Sequence, residues 1–287
     1  MLGPVLSVLL LGSVPVWGIG DPGIPGARDL RVAPPVVSTV AESVPRSLVG
    51  GLSASGVIIV DLGSSQTVYA DRPLVPRPMA SLTKLMTALV IVENHDLDET
   101  VSIAPGVGAI RDNVAGVQVG DEYRLGDLLT AMLVHSANDA AVALAIHDAG
   151  SEDAFVEKMN ARASSLGLKD TVYKTSTGFD APGQFSTPRD VGILSTYVLG
   201  IPAIANRMSL ASATITSHSG TVLSFSHTHQ LLRKQGAVTA GKTGTTDGAG
   251  QCLMSVFQEN GHRYAAVLLH SADRYGDMRR ILSAFGD

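Results

Sequence analysis

Ser81 and Lys84 stand three residues apart at the front of the apolar run "ASLTKLMTALV", residues 80–90. On a helix that spacing stacks the two side chains on one face and leaves Leu82, Leu85, Met86 and Leu89 to pack elsewhere. The lysine then reaches the hydroxyl, which is the geometry of an activated nucleophile: a neighbouring base takes the proton that serine does not release unaided. The pair alone says little, since 27 serines and 6 lysines in 287 residues give about half an S-x-x-K by chance.

Two further patterns supply corroboration. "LVHSANDAAVALA" places Ser136 and Asn138 in a short gap between two helical runs, and "AGKTGTT" places Lys242, Thr243 and Gly244 at a strand edge ahead of a Gly-rich turn. A chain of this composition holds a K-T-G about 0.04 times by chance. S-x-x-K, S-x-N and K-T-G each occur once, in that order.

The elements that must hold these residues are legible from local pattern. "SGVIIVDLGSSQTVYADRP" reads as a hairpin around Gly63-Ser64-Ser65. Helices are predicted over Leu125–Val134, Asp139–Ala149, Glu152–Leu166 and Pro188–Leu199; Thr187 caps the last, with Pro188 in its first position and Asp190 in its positive first turn. After a short helix near Ala203, strands return in "SATIT", around Val222, in "AVTAGKTG" and in "QCLMSVFQENGHRYAAVLLHS", where Asn260-Gly261 supplies a tight hairpin turn. Met278, Ile281, Leu282 and Phe285 recur at helical spacing and predict a closing helix packed on the sheet. Strands from both ends with helices between them give an α+β fold: an antiparallel sheet flanked by helices, with an all-helical subdomain inserted at about residues 93–200 and a cleft at the junction.

Composition narrows the function. Hydrophobic residues make up 45% of the chain, which excludes disorder throughout. The net charge of −5 and the scattered basic residues exclude the electrostatic footprint of a nucleic-acid binder. Cys252, the single cysteine, lies in the apolar "QCLMSVF" and reads as a buried structural thiol. His227 and His229, with His218 nearby, read as a solvated strand face without a third ligand, so no metal and no cofactor are expected. Residues 2–19 carry no charge, and Gly18 and Gly20 are small where a cleavage before Asp21 needs them, so residues 1–20 read as an export segment. No basic residue precedes that stretch, the first being Arg28, and Pro4 and Pro15 argue against a stable spanning helix. Residues 21–50 read as a Pro/Gly-rich linker and 51–287 as the packed domain.

With the three motifs in place, the sequence resembles the penicillin-binding, active-site serine D,D-peptidases, above all the low-molecular-mass D-alanyl-D-alanine carboxypeptidases. "SASLTKLMTALV", "LLTAMLVHSANDAAVALA" and "TGFDAPGQFSTPRDVGIL" carry the likeness across most of residues 52–287. The resemblance implies the β-lactamase/penicillin-binding-protein fold and removal of the terminal D-Ala from peptidoglycan stem peptides, outside the cytoplasm, through an acyl-enzyme on Ser81. Lys84 is then the base, and burial together with a second ammonium, Lys242, lowers its pKa. Ser136 relays the proton to the leaving amine, and Asn138 holds the substrate amide. The backbone N–H groups of Ser81 and Thr245 form the oxyanion hole. Lys242, Thr243 and Gly244 meet the terminal carboxylate, with Arg274 of "HSADR" as a looser correspondence. β-Lactams are expected as covalent inhibitors, because the E-x-x-L-N segment of serine β-lactamases is missing between Ser136 and Lys242; "EKMN" at residues 157–160 does not match it.

The alternatives are a D,D-endopeptidase cutting crosslinks with the same residues, a serine β-lactamase, and a non-catalytic binding protein on the same fold. Two departures from the family pattern stand out. The usual Gly-Leu-Asp is Gly178-Phe179-Asp180, preceded by Thr177, and no β-rich module follows the closing helix, so membrane attachment is expected only through the N-terminus, if at all.

Overall fold

The computed structural model describes Leu48, residues 51–232 and residues 236–286. The export segment expected over 1–20 and the linker expected over 21–50, Leu48 apart, lie outside the described residues. In chain order the elements are β1 (Gly56–Asp61), β2 (Thr67–Asp71), α1 (Lys84–Asn94), β3 (Thr100–Ser102), β4 (Glu122–Arg124), α2 (Leu125–Val134), α3 (Asn138–Ala149), α4 (Glu152–Ser165), α5 (Pro188–Leu199), α6 (Pro202–Met208), β5 (Ser212–Thr216), β6 (Val222–Ser226), β7 (Val238–Thr246), β8 (Gly250–Glu259), β9 (His262–Ser271) and α7 (Arg274–Gly286).

A five-stranded antiparallel sheet of order β2-β1-β9-β8-β7 forms the middle layer. β1 and the middle stretches of β8 and β9 read as near-continuous apolar runs because both faces are covered. Val57 and Ile59 of β1 join Leu253 and Phe257 of β8 in a core beneath α7, while Ile58, Val60, Met254 and Val256 point into the larger core under the helices. Met278 and Ile281 of α7 are buried, Leu282 and Phe285 pack at the margin, and Arg279 and Arg280 face water, as the helical spacing required. Asn260 and Gly261 take φ angles of 50° and 79°, the positive pair that closes a two-residue hairpin between β8 and β9. The cap of α5 forms as predicted, the Asp190 amide donating to Thr187 Oγ1 at 3.1 Å.

Helices α1 to α4 pack on one another and share the larger core. The region read as helical also holds a short two-stranded ladder, β3 with β4, and the β5–β6 hairpin forms a third small sheet. No single helix among the described residues is long and apolar enough to cross a membrane. For function, the essential placement is β7. It is an edge strand of the large sheet, and the turn that leads into α1 packs directly against it.

Candidate active site

Ser81 lies in a 3-10 turn, Ala80–Thr83, which runs directly into α1. The hydroxyl therefore sits at a helix N-terminus, while Leu82, Leu85, Met86 and Leu89 are buried in the core. Ala80 has φ +48°, a left-handed conformation uncommon for a side-chain-bearing residue, immediately before the serine. Gly178 presses against it: a Cβ there would lie 2.0 Å from the Ala80 carbonyl oxygen, and its φ of +91° also demands glycine.

Lys84 is fully buried, and its Nζ donates to Ser81 Oγ at 3.0 Å, Asn138 Oδ1 at 2.6 Å and the Thr177 carbonyl at 2.7 Å. Burial pushes its pKa down to about 7, against the pull of the Asp139 and Glu152 carboxylates. Lys242, the second ammonium invoked from the sequence, is itself held well below the usual lysine range, first by burial and then by the charges of Lys84 and Arg274. Burial is thus the main agent that lowers the pKa of both amines. Lys242 Nζ donates to Ser136 Oγ at 2.6 Å, so the middle-motif serine is tied to the third motif, and Ser136 takes φ +63° to make that contact. Asn138 bridges instead to the first motif, through Lys84.

Gly244 explains its own identity. A Cβ there would fall 2.8 Å from the Ser81 amide nitrogen and 2.9 Å from Ala80 Cβ, so only glycine lets β7 run beside the turn that carries Ser81. Gly244→Ala should leave the sheet intact but displace Ser81, lowering kcat/KM for D-Ala release about a hundredfold with an unchanged far-UV spectrum; wild-type rates would remove this role.

Arg274, at the start of α7, reaches back over the β7 edge and donates through Nη1 to the Gly244 carbonyl and Thr245 Oγ1, both at 2.8 Å. It joins Ser81, Asn138, Phe179, Thr243 and Thr245 around a cleft of about 240 Å³. All nine residues singled out from the sequence thus converge on one place: seven line the cleft, and Lys84 and Lys242 lie buried under Ser81 and Ser136.

Sequence reasoning missed the frame behind them. Asp139, next to Asn138, accepts the amides of Ala115, Gly116 and Val117 at 2.8 to 3.1 Å and so pins the loop opposite β7. That loop supplies the Asp112 carbonyl, which takes Asn138 Nδ2 at 2.6 Å, and Asn113, whose Nδ2 donates to the carbonyls of His135 and Ser136. Across the mouth, Asp180 accepts Thr246 Oγ1 at 2.6 Å and the Gly248 amide at 2.8 Å. An acidic residue in the first turn of a helix was the one signal for Asp139. Removing three charge-assisted bonds by Asp139→Ala should lower stability by about 3 kcal/mol and raise KM more than it lowers kcat, measured by urea unfolding and steady-state kinetics. An unchanged unfolding midpoint would contradict this account.

Two readings of other side chains meet the structure differently. Cys252 is buried and its thiol is pushed up to about 11 by burial, the state of an inert structural cysteine. His227 and His229 are not on a solvated strand face: β6 ends at Ser226, and the two rings turn inward beneath β7. His229 Nε2 meets Ser255 Oγ at 2.6 Å, its amide donates to His227 Nδ1 at 2.9 Å, and burial lowers its pKa to about 4. A Cβ on Gly241 would come within 2.5 Å of the His229 ring, so the pair is packing for the strand that carries Lys242.

A serine hydroxyl at a helix N-terminus, a buried amine of pKa about 7 bonded to it, and a second buried lysine across the cleft make a site for acyl transfer through a serine ester. Residues 40–273 match the S11 peptidase family, D-alanyl-D-alanine carboxypeptidase. Over 221 residues the chain is 33% identical to the D-alanyl-D-alanine carboxypeptidase DacB2 of Mycobacterium tuberculosis, covering 76% of this chain and 75% of that one. It is 31% identical over 228 residues to a D-alanyl-D-alanine endopeptidase of Escherichia coli, with 78% and 73% covered. Among solved structures it is similar to the Streptomyces K15 DD-transpeptidase, with a TM-score of 0.75, 25% identity, and 81% and 97% of the two chains covered. The chain belongs to the S11 family of serine-type D-alanyl-D-alanine carboxypeptidases.

Proposed function

We propose that Ser81 is the nucleophile that removes the terminal D-Ala from peptidoglycan stem peptides, with Lys84 as its base. The observation that carries this is the 3.0 Å contact between Ser81 Oγ and an amine whose pKa of about 7 leaves it substantially neutral at physiological pH. Neutral Lys84 takes the Oγ proton as Oγ attacks the carbonyl carbon of the scissile D-Ala–D-Ala bond. The backbone N–H groups of Ser81 and Thr245 receive the oxyanion. Ser136, held by Lys242, relays that proton from Lys84 to the leaving amine, and the C–N bond breaks to give free D-Ala and a Ser81 ester with Lys84 neutral again. A water molecule then attacks the ester carbonyl, giving its proton to neutral Lys84; the ester C–O bond breaks, Lys84 passes that proton to Ser81 Oγ, and the shortened peptide leaves with a free carboxyl group while Lys84 is again neutral.

Asn138 holds the substrate amide, while Thr243 and the Arg274 guanidinium, with the Lys242 amine beneath, face the terminal carboxylate. The extracytoplasmic location that this substrate requires goes with an export segment over 1–20, a linker over 21–50 and a catalytic domain over 51–287. β-Lactams place a strained acyl group on the same serine and remain, because the chain lacks the E-x-x-L-N base of serine β-lactamases.

Relatives named endopeptidases, from Escherichia coli and Pseudomonas aeruginosa at 31% and 32% identity, support cleavage of crosslinked stems as the second reading. Mass spectrometry of pentapeptide and crosslinked muropeptides incubated with the protein separates the two. Loss of one D-Ala from the pentapeptide establishes the carboxypeptidase; cleavage of the crosslinked dimer alone makes it an endopeptidase; no change in either overturns both.

A further inference from the structure

Away from the cleft, His95, Glu99 and His147 bring three ligand atoms within 4.8 Å of one another. Glu99 Oε2 lies 2.8 Å from His95 Nδ1 and 3.2 Å from His147 Nε2, and the two rings are 5.1 Å apart. The groups behind these atoms are held in turn. Glu99 Oε1 accepts the Asp96 amide at 2.7 Å. His95 Nε2 lies 3.0 Å from Oδ1 of Asp148, a carboxylate whose side chain is only 1% exposed and whose other oxygen takes Lys158 Nζ at 2.7 Å.

His95 stands between two carboxylates, Glu99 and Asp148. An imidazole that donates from Nε2 to Asp148 turns the lone pair of Nδ1 toward Glu99 Oε2, and two acceptors at 2.8 Å require a cation between or beside them, a second ring proton or a metal ion. Tetrahedral zinc with bonds of about 2.0–2.1 Å separates its ligand atoms by about 3.3 Å, so the two Glu99 contacts need only sub-ångström adjustment, and the two imidazole nitrogens, within 4.8 Å of each other, close by at most about 1.5 Å. A carboxylate behind the far nitrogen of a ligating histidine is also what zinc sites use to fix the ring and its tautomer. Two imidazoles and one carboxylate favour zinc over the hard, oxygen-seeking magnesium and calcium ions.

We infer that His95, Glu99 and His147 bind one zinc-class divalent ion, with solvent completing its coordination. His95 caps the C-terminus of α1 and His147 lies in the last turn of α3, the helices whose first residues are Lys84 and Asn138. Lys84 and His95 are eleven positions apart, about 16 Å of helix, so the ion takes no part in the reaction. Its role is a clamp that fastens the far ends of the two helices on which the site is built.

The test is zinc titration of the chelator-treated full chain, read by calorimetry and thermal melting, with cobalt as a spectroscopic substitute. The expected result is one ion per chain, a rise in melting temperature of roughly 5–10 °C at zinc a hundredfold above Kd, and visible ligand-field bands with cobalt. His147→Asn and Glu99→Gln should each abolish all three, whereas His262→Asn, a surface histidine elsewhere, should keep them. Magnesium should not substitute for zinc. If either variant fails to fold, the other decides. Absence of zinc binding to the wild-type chain, or binding that survives both variants, overturns the inference.

Discussion

Ser81→Ala is expected to abolish D-Ala release, a fall of roughly 10⁴-fold or more in kcat, with a native melting temperature. The side chain contributes little to stability, since among the described residues its one side-chain hydrogen bond is to Lys84, whose amine keeps Asn138 Oδ1 and the Thr177 carbonyl as partners. The loss falls wholly on chemistry, because among the described residues Ser81 Oγ is the hydroxyl bonded to Lys84, whereas Ser136 Oγ is held by Lys242. Substrate should still bind in the variant, through Asn138, Thr243 and Arg274, and the dissociation constant measured by calorimetry should stay within a few-fold of the wild-type KM. A variant that retains more than a hundredth of the wild-type rate would remove Ser81 from its role.

Lys84 carries the second large effect, and there pH is the sharper probe. With a pKa near 7, kcat/KM for acylation should fall about tenfold for each pH unit below 7 and level off above it, because only the neutral amine accepts the Ser81 proton. Lys84→Arg keeps a cation of similar reach that does not deprotonate, so the rate should drop about 10²–10⁴-fold and the rise through pH 7 should vanish. If the lysine only propped up the serine, arginine would restore part of the rate and the profile would keep its shape. Linkage adds an independent check. The folded pKa lies below the unfolded one, so the unfolded chain binds more protons above pH 7, and Lys84 makes folding more favourable as pH rises from about 7 toward the ordinary lysine value of 10.5. Lys84→Met should flatten that part of the stability curve.

Much of this site is written in side-chain identity and spacing. Ser81 and Lys84 meet because three residues separate stacked positions on a helix, and that survives the finding that Ser81 itself lies in a 3-10 turn rather than in α1. The helices Leu125–Val134 and Pro188–Leu199 end where capping and apolar period put them. What was not legible is the work done by backbone. Thr177 contributes a carbonyl, Asp112 another, and the loop before Gln118 contributes three amides to Asp139, groups that every residue type carries. The histidines after β6 were misread for a related reason. Strand alternation continued past Ser226 predicts a wet face, whereas the chain leaves the sheet there and turns both rings into the core. His95 and His147 were invisible as a pair, since 52 positions separate them and only the packing of α1 against α3 joins their ends.

The central claim, a serine ester formed at Ser81 by a neutral Lys84, is tested most directly by intact-protein and peptide mass spectrometry after exposure to benzylpenicillin. The account predicts a mass increase of one whole penicillin, carried by the peptide that contains Ser81, long-lived, absent from Ser81→Ala and slower to form below pH 7. An adduct on another residue, or unmodified protein beside steadily accumulating hydrolysed penicillin, would contradict it.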